Sequence, residues 1–169
     1  MNAKTLSRLG QRGTFGLALL AAAERDPRVV ALTADLATTS GLDRFKRQHP
    51  DRFWNVGIAE QNMVGIAAGM AAAGRIPFAT SFATFLTMRS CEQVRHHLGL
   101  MQRNVKLVGI GAGRAFLEFG HSHWALEDEA IVRAITGITI ISPADCAEVY
   151  DAVLAMAEHD GPMYLRLTR

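Results

Sequence analysis

The chain has 169 residues, of which 49% are apolar and 20% charged, with a formal net charge of +2. That balance is typical of a globular protein and is enough for one full domain spanning residues 1–169. No Lys/Arg run is dense enough for a nucleic-acid partner, and no apolar run reaches the roughly 18 residues that a transmembrane helix needs.

Two cysteines, Cys91 and Cys146, lie far apart in the sequence. They have neither the spacing of a metal site nor that of a disulfide framework. The sequence therefore predicts a reduced, cytoplasmic protein, with no metal ligands of its own and no membrane partner.

The N-terminal region allows two interpretations. An apolar stretch at 17–23 follows basic residues, as in a secretory signal with a small-residue cleavage site. The basic residues are Lys4, Arg8 and Arg12. Gly13 and Gly16 weaken the apolar segment, so we favour an ordinary first helix that runs into Glu24.

Short apolar runs alternate with helical patterns along the whole chain. They predict strands at 29–33, 53–56, 76–81, 105–110, 138–141 and 163–167. The segments between predict helices at 5–25, 42–48, 59–73, 82–101, 127–135 and 145–159. Residues 111–123 form a Gly-rich loop. This order predicts an α/β fold, a doubly wound, mainly parallel sheet with helices on both faces, in which we expect strand 53–56 to be buried.

The helix at 59–73 is almost free of charge and rich in Ala and Gly, a composition that predicts burial on all sides. Its only carboxylate, Glu60, lies in the first turn. An acid there is favoured by the helix dipole alone, so position does not by itself indicate function.

The sequence around Glu60 carries more information. The segment 56–69, Val-Gly-Ile-Ala-Glu-Gln-Asn-Met-Val-Gly-Ile-Ala-Ala-Gly, closely resembles the signature of the pyrimidine-binding domain of transketolase-like thiamine diphosphate enzymes. Segments 83–95 and 120–128 resemble two further motifs of that family, in the same order. The resemblance implies that Glu60 hydrogen-bonds the aminopyrimidine ring of thiamine diphosphate. A carboxyl that shares a proton with a ring nitrogen promotes the imino tautomer, which then acts as a base toward the thiazolium carbon.

The resemblance also implies a pocket for the pyrimidine ring. Phe85 falls on the family's stacking position, and Met88 and Cys91 fall where transketolases often carry more aromatic residues. The three residues also lie on one face of a helix, which is equally typical of plain core. Asp35 resembles the Asp of the family's Ala-Asp-Leu segment and is a further cofactor-binding candidate, although a strand-end turn would also favour Asp there.

The loop before Trp124 carries the candidate substrate residues. His123 matches the family's histidine, which reaches the thiazolium side and the substrate oxygens, and imidazole can donate or accept a proton near neutral pH. Phe119 stands where the family has an Asp that holds a sugar hydroxyl. Since Phe cannot accept a hydrogen bond, we expect a substrate other than a standard ketose phosphate, or a different pose. His121 is extra relative to the family's pattern.

Transketolases also bind the sugar phosphate through arginines and a serine. Arg12, Thr39 and Arg169 lie at about the matching positions, and guanidinium groups suit bidentate phosphate binding. Spacing rather than local sequence supports these three assignments.

One part of the family's machinery is absent from the sequence. The Gly-Asp-Gly motif, with its downstream Asn, holds Mg²⁺ and the cofactor diphosphate in these enzymes, and this chain has no Gly-Asp-Gly. The resemblance therefore implies a split enzyme, in which a separate transketolase-like subunit holds the diphosphate and supplies the Mg²⁺ ligands. The Ala/Gly helix after Glu60 would form a homodimer of this chain within a heterotetramer.

The sequence thus predicts the pyrimidine-binding subunit of a two-component enzyme that transfers a two-carbon ketol unit, or a related acyl carbanion, between sugar-like substrates. Glu60 and His123 are its predicted catalytic residues. Two alternatives stay open at this point. One is decarboxylative carboligation of a 2-oxo acid on the same cofactor, and the other is a non-catalytic scaffold subunit.

Overall fold

The computed structural model describes residues 3–168, which form one six-stranded sheet. Its strands are β1 (Val29–Thr33), β2 (Phe53–Asn55), β3 (Ile76–Phe82), β4 (Lys106–Ile110), β5 (Thr139–Ile141) and β6 (Met163–Arg166). Their order is β2-β1-β3-β4-β6-β5, and every pair is parallel. The predicted doubly wound parallel sheet is confirmed.

Helices connect the strands. The α-helices are α1 (Ala3–Arg25), α2 (Asp43–Gln48), α3 (Glu60–Ala72), α4 (Cys91–Gln93), α5 (Asp128–Arg133) and α6 (Cys146–Glu158). Two π-helical segments, Phe85–Arg89 and Val94–Leu100, flank α4. The loop after β4 contains a 3-10 segment, Leu117–Ser122. None of these helices, within residues 3–168, is long and apolar enough to cross a membrane.

Alternate residues of each central strand contribute to two separate cores, one on each face of the sheet. Ala31 on β1 packs with residues of α1, α2 and α6, whereas Leu32 packs with residues of α3, α5 and the π-helical segments. This arrangement explains why the strands are continuously apolar, because both faces of the sheet are covered.

The structure corrects three expectations about the elements. Strand β2 lies at the sheet edge, and its Trp54 is 37% exposed, so the prediction of a buried strand was wrong. Helix α3 is buried on one side only, because Gln61, Asn62 and Gly69 are exposed. The predicted continuous helix at 82–101 is interrupted at Ser90 and is largely π-helical.

The chain reverses its winding direction at β1, because β2 pairs with one edge of β1 and β3 with the other. Ligands of open α/β sheets bind at such a switch point, outside the carboxyl ends of the strands. Here those ends lead into Asp35 after β1 and Ala83 after β3. The fold therefore directs the search for a site to this edge.

A close backbone contact holds the loop after β1 against α1. A Cβ added at Gly16 would lie 1.9 Å from the carbonyl oxygen of Gly41, so the helix and the loop can meet only at glycine. Beside this contact, Arg12 Nη1 donates to the carbonyl oxygen of Thr39 at 3.0 Å. The contact thus fixes the distance between two of the predicted substrate residues.

Candidate active site

Glu60 is the first residue of α3 and is only 2% exposed. Its Oε1 accepts a hydrogen bond from Ser81 Oγ at 3.3 Å, and its Oε2 accepts one from Arg89 Nη1 at 2.9 Å. Burying a carboxylate is costly unless it is paired, so these two contacts account for its stability there. The predicted position of Glu60 in the first turn of this helix is confirmed.

The turn that leads into α3 is built from local signals. Gly57 adopts a φ of 74°, which favours glycine, and its N–H donates to Asn55 Oδ1 at 3.0 Å. The chain can therefore turn sharply after β2 and begin α3 at the switch point. Glu60 reaches this position because the turn is short.

Five aromatic rings form a cluster at the carboxyl ends of β3 and β4. They belong to Phe82, Phe85, Phe116, Phe119 and His123. The His123 ring centroid lies 5.0 Å from that of Phe82, 5.1 Å from that of Phe85 and 4.8 Å from that of Phe119. The structure thus brings Phe85 and His123 together, although 38 positions separate them in the sequence.

The hydrogen bonds of His123 indicate which ring nitrogen carries the proton. Ser122 Oγ lies 3.0 Å from His123 Nδ1 and 3.2 Å from the carbonyl oxygen of Phe119. A hydroxyl has a single proton, so the pairing that satisfies both contacts has Ser122 donating to the carbonyl and Nδ1–H donating to Ser122. In the neutral imidazole, this pairing leaves the lone pair on Nε2, as proton acceptance requires.

Arg89 is a site residue to which sequence reasoning gave no role. Besides its bond to Glu60, its guanidinium carbon lies 3.8 Å from the centroid of the Phe85 ring, a cation–π contact. Arg89 ends the π-helical segment that begins at Phe85. The residue belongs to a motif that the sequence singled out, but only the tertiary structure pairs it with Glu60.

Met88 and Cys91 are the two other candidates for the pyrimidine pocket. Met88 is 47% exposed, and its sulfur accepts from the hydroxyl of Thr84 at 3.4 Å. Cys91 is a half-buried free thiol. Arg89, rather than either of them, covers the ring of Phe85, so their contact with a cofactor stays a prediction.

Asp35 follows β1 with a φ of 60°, an uncommon conformation for a non-glycine residue. Two hydrogen bonds with Asn55 hold it, one from its own N–H to Oδ1 at 3.0 Å and one from Nδ2 to its carboxylate at 2.8 Å. Asp35 thus joins the loops after β1 and β2 at the edge of the site. Its role toward a cofactor stays a prediction.

A cavity of about 490 Å³ lies between α1 and the loop after β1. Arg12 and Thr39 line it, and so does Arg8, to which the sequence analysis gave no substrate role. Binding of an anion here stays a prediction. The Arg12 guanidinium also lies 5.4 Å from the Phe116 ring. Arg12 therefore contacts both this cavity and the aromatic cluster that contains His123.

The remaining candidates lie on the loop after β4 or at the chain end. Phe119 is 50% exposed and stacks on Phe116, with 5.6 Å between ring centroids. His121 packs against Trp124 at 4.8 Å, and Arg114 lies over the same indole ring. Arg169 lies outside the described residues. Among residues 3–168, no three His, Cys, Asp or Glu side chains group closely enough to hold a metal ion.

The fold and this site define a class of protein, an α/β ligand-binding domain with its site at a topological switch point. A buried carboxylate and a phenyl ring suit a planar polar ring, an imidazole stands beside them, and an arginine-lined cavity suits an anion. The sequence matches the family model described as transketolase, pyrimidine binding domain, over residues 8–169. The chain belongs to that family, as the Glu60 motif predicted.

Three proteins illustrate the relationship. The chain is 44% identical to the 6-deoxy-6-sulfo-D-fructose transketolase subunit SqwH of Clostridium sp. (strain MSTE9), over 94% of this chain and 49% of the relative. It is 36% identical to an apulose-4-phosphate transketolase subunit of Phocaeicola vulgatus, over 94% of this chain and 51% of the relative. A solved split gene transketolase, described as an inactive beta4 tetramer, matches with a TM-score of 0.84 at 39% identity, over 94% of this chain and 51% of that one.

These comparisons confirm the predicted fold. The chain spans about half the length of the curated relatives that it matches, at 49% and 51% of those two proteins. Both relatives are named as transketolase subunits. Membership in the family implies thiamine diphosphate as the cofactor.

Proposed function

We propose that this chain is the pyrimidine-binding part of a two-component, thiamine diphosphate-dependent transketolase-like enzyme. The observation that carries the proposal is the grouping of a buried carboxylate, Glu60, with the Phe85 ring and the His123 imidazole at the switch point of the sheet. The names of the relatives favour ketol transfer over decarboxylation of a 2-oxo acid. In this proposal, residues 1–169 form one domain, and the enzyme works in the cytoplasm.

The residues present fit the pyrimidine half of the cofactor. Glu60 offers a buried carboxylate that is paired with the half-exposed Arg89. Phe85, which the same Arg89 contacts, offers an aromatic face. Glu60 would share a proton with the ring and Phe85 would stack on it, with Asp35, Met88 and Cys91 as further contacts. Bound thiamine diphosphate supplies the carbanion chemistry that carries a two-carbon unit.

His123 is proposed to handle protons at the substrate. Three phenyl rings surround its imidazole, and Ser122 orients it through Nδ1. Held in this way, Nε2 is the atom that would accept or return a proton at a substrate oxygen. His121, on the same loop, remains a candidate for a further substrate contact.

The cavity lined by Arg8 and Arg12 would bind the anionic end of the substrate. The two relatives named above act, by their names, on a sulfonated and a phosphorylated sugar, and both groups are oxyanions that guanidinium binds well. Thr39 adds a hydroxyl to this cavity, and Arg169 is a further candidate. Phe119 places an apolar side chain beside His123, which favours a substrate lacking a hydroxyl there.

The diphosphate half of the cofactor requires a second chain. We propose a separate diphosphate-binding subunit that holds Mg²⁺ against the diphosphate through its own side chains. The exposed face of α3, which includes Gly69, would pair two copies of this chain within a heterotetramer. Both relatives are named as subunits, which supports a multi-chain enzyme.

The partner is identified first, by a pull-down from the source organism with thiamine diphosphate and Mg²⁺ present. The reconstituted complex is then assayed for ketol transfer from xylulose 5-phosphate and 6-deoxy-6-sulfo-D-fructose, and for release of carbon dioxide from pyruvate. Ketol transfer without carbon dioxide release is the expected result. Carbon dioxide release alone would assign the decarboxylating chemistry instead.

Glu60→Gln tests the central role in that complex. We expect turnover to fall by roughly 10²- to 10⁴-fold, the usual contribution of a positioned acid–base group. Glu92→Gln is the matched control, since Glu92 is exposed on the neighbouring α4 and should leave turnover unchanged. Full turnover in Glu60→Gln would mean that the chain is a scaffold.

A further inference from the structure

Arg89 occupies an unusual position in the candidate site. Its guanidinium donates to Glu60 Oε2 at 2.9 Å and lies over the ring of Phe85 at 3.8 Å. These are the two groups to which the proposed function assigns the pyrimidine ring, one for hydrogen bonding and one for stacking. One planar cation therefore makes both contacts at once.

The distance to Phe85 leaves no room for a second planar group between them. Non-bonded carbon atoms are in contact at about 3.5–4.0 Å, so a pyrimidine ring cannot lie on the same face of Phe85 while Arg89 covers it. The other aromatic contacts of Phe85 are with Phe82 at 5.6 Å and His123 at 5.1 Å. Both neighbours meet Phe85 in T-shaped, edge-type contacts, whereas the Arg89 guanidinium lies over the ring.

We propose that the Arg89 side chain fills the pyrimidine pocket when no cofactor is bound. In the cofactor-free chain its guanidinium closes the pocket from the solvent side, and the cofactor must displace it from both Glu60 and Phe85. This inference rests on the proposed function, because it takes the Glu60–Phe85 pocket as the pyrimidine site.

Exposure and local backbone both suit a displaceable residue. The Arg89 side chain is 45% exposed, whereas Glu60 is 2% exposed, so the guanidinium can swing into solvent without opening the core. Arg89 also ends a π-helical segment, a wide helical turn that often occurs at functional sites. Ser81, the other partner of Glu60, is fully buried and stays in place when Arg89 leaves.

The contact has a consequence for the chemistry of Glu60. In the cofactor-free chain each oxygen of the Glu60 carboxylate already accepts a hydrogen bond, Oε1 from Ser81 and Oε2 from Arg89. Displacement of Arg89 would therefore free Oε2 at the moment the pocket fills. Arg89 would keep Glu60 paired in the empty subunit and release it only for the cofactor.

The test uses the full chain and a probe that requires no diphosphate subunit, namely the hydroxymethyl-aminopyrimidine half of the cofactor. Binding is measured by NMR titration of the ¹⁵N-labelled chain, with the Arg89 Nε–H signal assigned from its loss in Arg89→Met. We expect Arg89→Met to bind the probe about fivefold more tightly, since an ion pair of this exposure is worth about that factor. The Arg89 signal of the wild-type chain should shift as the probe binds.

Arg95→Met is the matched control, because Arg95 is exposed on the following π-helical segment and the substitution changes the charge equally. It should bind the probe as the wild type does. Thermal unfolding of each variant checks that the fold is retained.

The possible results separate the two proposals. Equal or weaker binding by Arg89→Met, or an Arg89 signal that does not move while the probe binds, overturns the role of Arg89 and leaves the pyrimidine site standing. No binding by either the wild type or Arg89→Met overturns the pyrimidine site and the role of Arg89 together.

Discussion

The imidazole of His123 lies 4.8 Å from the phenyl ring of Phe119, centroid to centroid, at an angle of 48°. Phe119 is also stacked on Phe116 and remains half exposed. An apolar side chain therefore stands directly over the candidate proton-transfer residue, at the position where the resemblance leads one to expect a carboxylate. This contact makes Phe119 the residue most able to select among substrates.

Phe119→Asp should widen the substrate range of the reconstituted enzyme. A carboxylate can accept a hydrogen bond from a sugar hydroxyl, so we expect kcat/KM for xylulose 5-phosphate to rise roughly tenfold. Steady-state kinetics on both sugars measures the change. Leu117→Asp is the control, because Leu117 is exposed on the same 3-10 segment and should leave the ratio of the two sugars unaltered.

Asp128 and Arg166 form an ion pair that holds the start of α5 against β6. Asp128 Oδ2 accepts from Arg166 Nε at 2.8 Å and from the Tyr164 hydroxyl at 2.9 Å, and Asp128 is only 1% exposed. Asp128→Asn should lower the free energy of unfolding by about 3 kcal/mol, because it leaves a largely buried guanidinium without its main partner. Urea unfolding measures the loss.

Glu129→Gln provides the comparison for this pair. Glu129 approaches the same Arg166 nitrogen at 3.6 Å but is 49% exposed. Its loss should cost less than about 1 kcal/mol, as for other solvent-exposed ion pairs. Equal losses in the two variants would contradict the idea that burial makes the Asp128 pair strong.

Lys106 should make stability depend on pH in the alkaline range. It is fully buried, its Nζ donates to the carbonyl oxygens of His159 and Gly161 at 2.8 and 2.6 Å, and burial lowers its pKa to about 8 from an ordinary 10.5. Between these values the unfolded chain binds more protons than the folded chain. The free energy of unfolding should therefore rise as pH increases from about 8 toward 10.

Urea unfolding at several pH values checks this rise, which should be absent in Lys106→Met. Lys46→Met is the control, since Lys46 is exposed and should keep the wild-type profile. The predicted rise ends near pH 10. Burial and the neighbouring Asp128 raise the pKa of Tyr164, so above about pH 10 the folded chain binds more protons than the unfolded chain and the free energy of unfolding falls. A profile that is flat from pH 8 to 10 in the wild type would contradict the prediction.

Gly69→Leu should weaken self-association if α3 pairs two copies of the chain. Gly69 is exposed, and a Cβ added there meets no atom of its own chain within 4 Å, so the substitution leaves the subunit itself undisturbed. We expect the dimer dissociation constant to rise at least roughly tenfold, because a leucine would separate closely packed helices. Sedimentation equilibrium measures it.

Ala155→Leu, on the exposed side of α6, adds a similar side chain away from the proposed interface. It should leave the dimer unchanged. If both variants or neither dissociate, another surface must hold the copies together.

Several features were predicted correctly because they depend on local sequence. Continuous apolar strands alternating with helices can be satisfied only by a parallel sheet covered on both faces, and the structure has that sheet. Helix α3 begins at Glu60, one residue after the predicted start at 59, with that acid in its first turn. The family motif suggested roles for Glu60, Phe85 and His123, and those roles stay predictions.

Other features required the tertiary structure. Strand order is a long-range property, so the edge position of β2, and with it the exposure of Trp54, could not be read from an apolar run. The π-helical turns after β3 depend on packing rather than on periodicity. Arg8 joins Arg12 in one cavity only because α1 meets the loop at Gly41.

The chemistry that this chain can hold follows from its residues alone, since a carboxylate, a phenyl ring and an imidazole in family motifs are properties of local sequence. What each group faces depends on the folded chain. Folding pairs Glu60 with Arg89 and Ser81, and it surrounds His123 with phenyl rings. Hydrogen bonds and ring contacts act over a few ångströms, and the parallel sheet brings residues within that range from strands far apart in the chain.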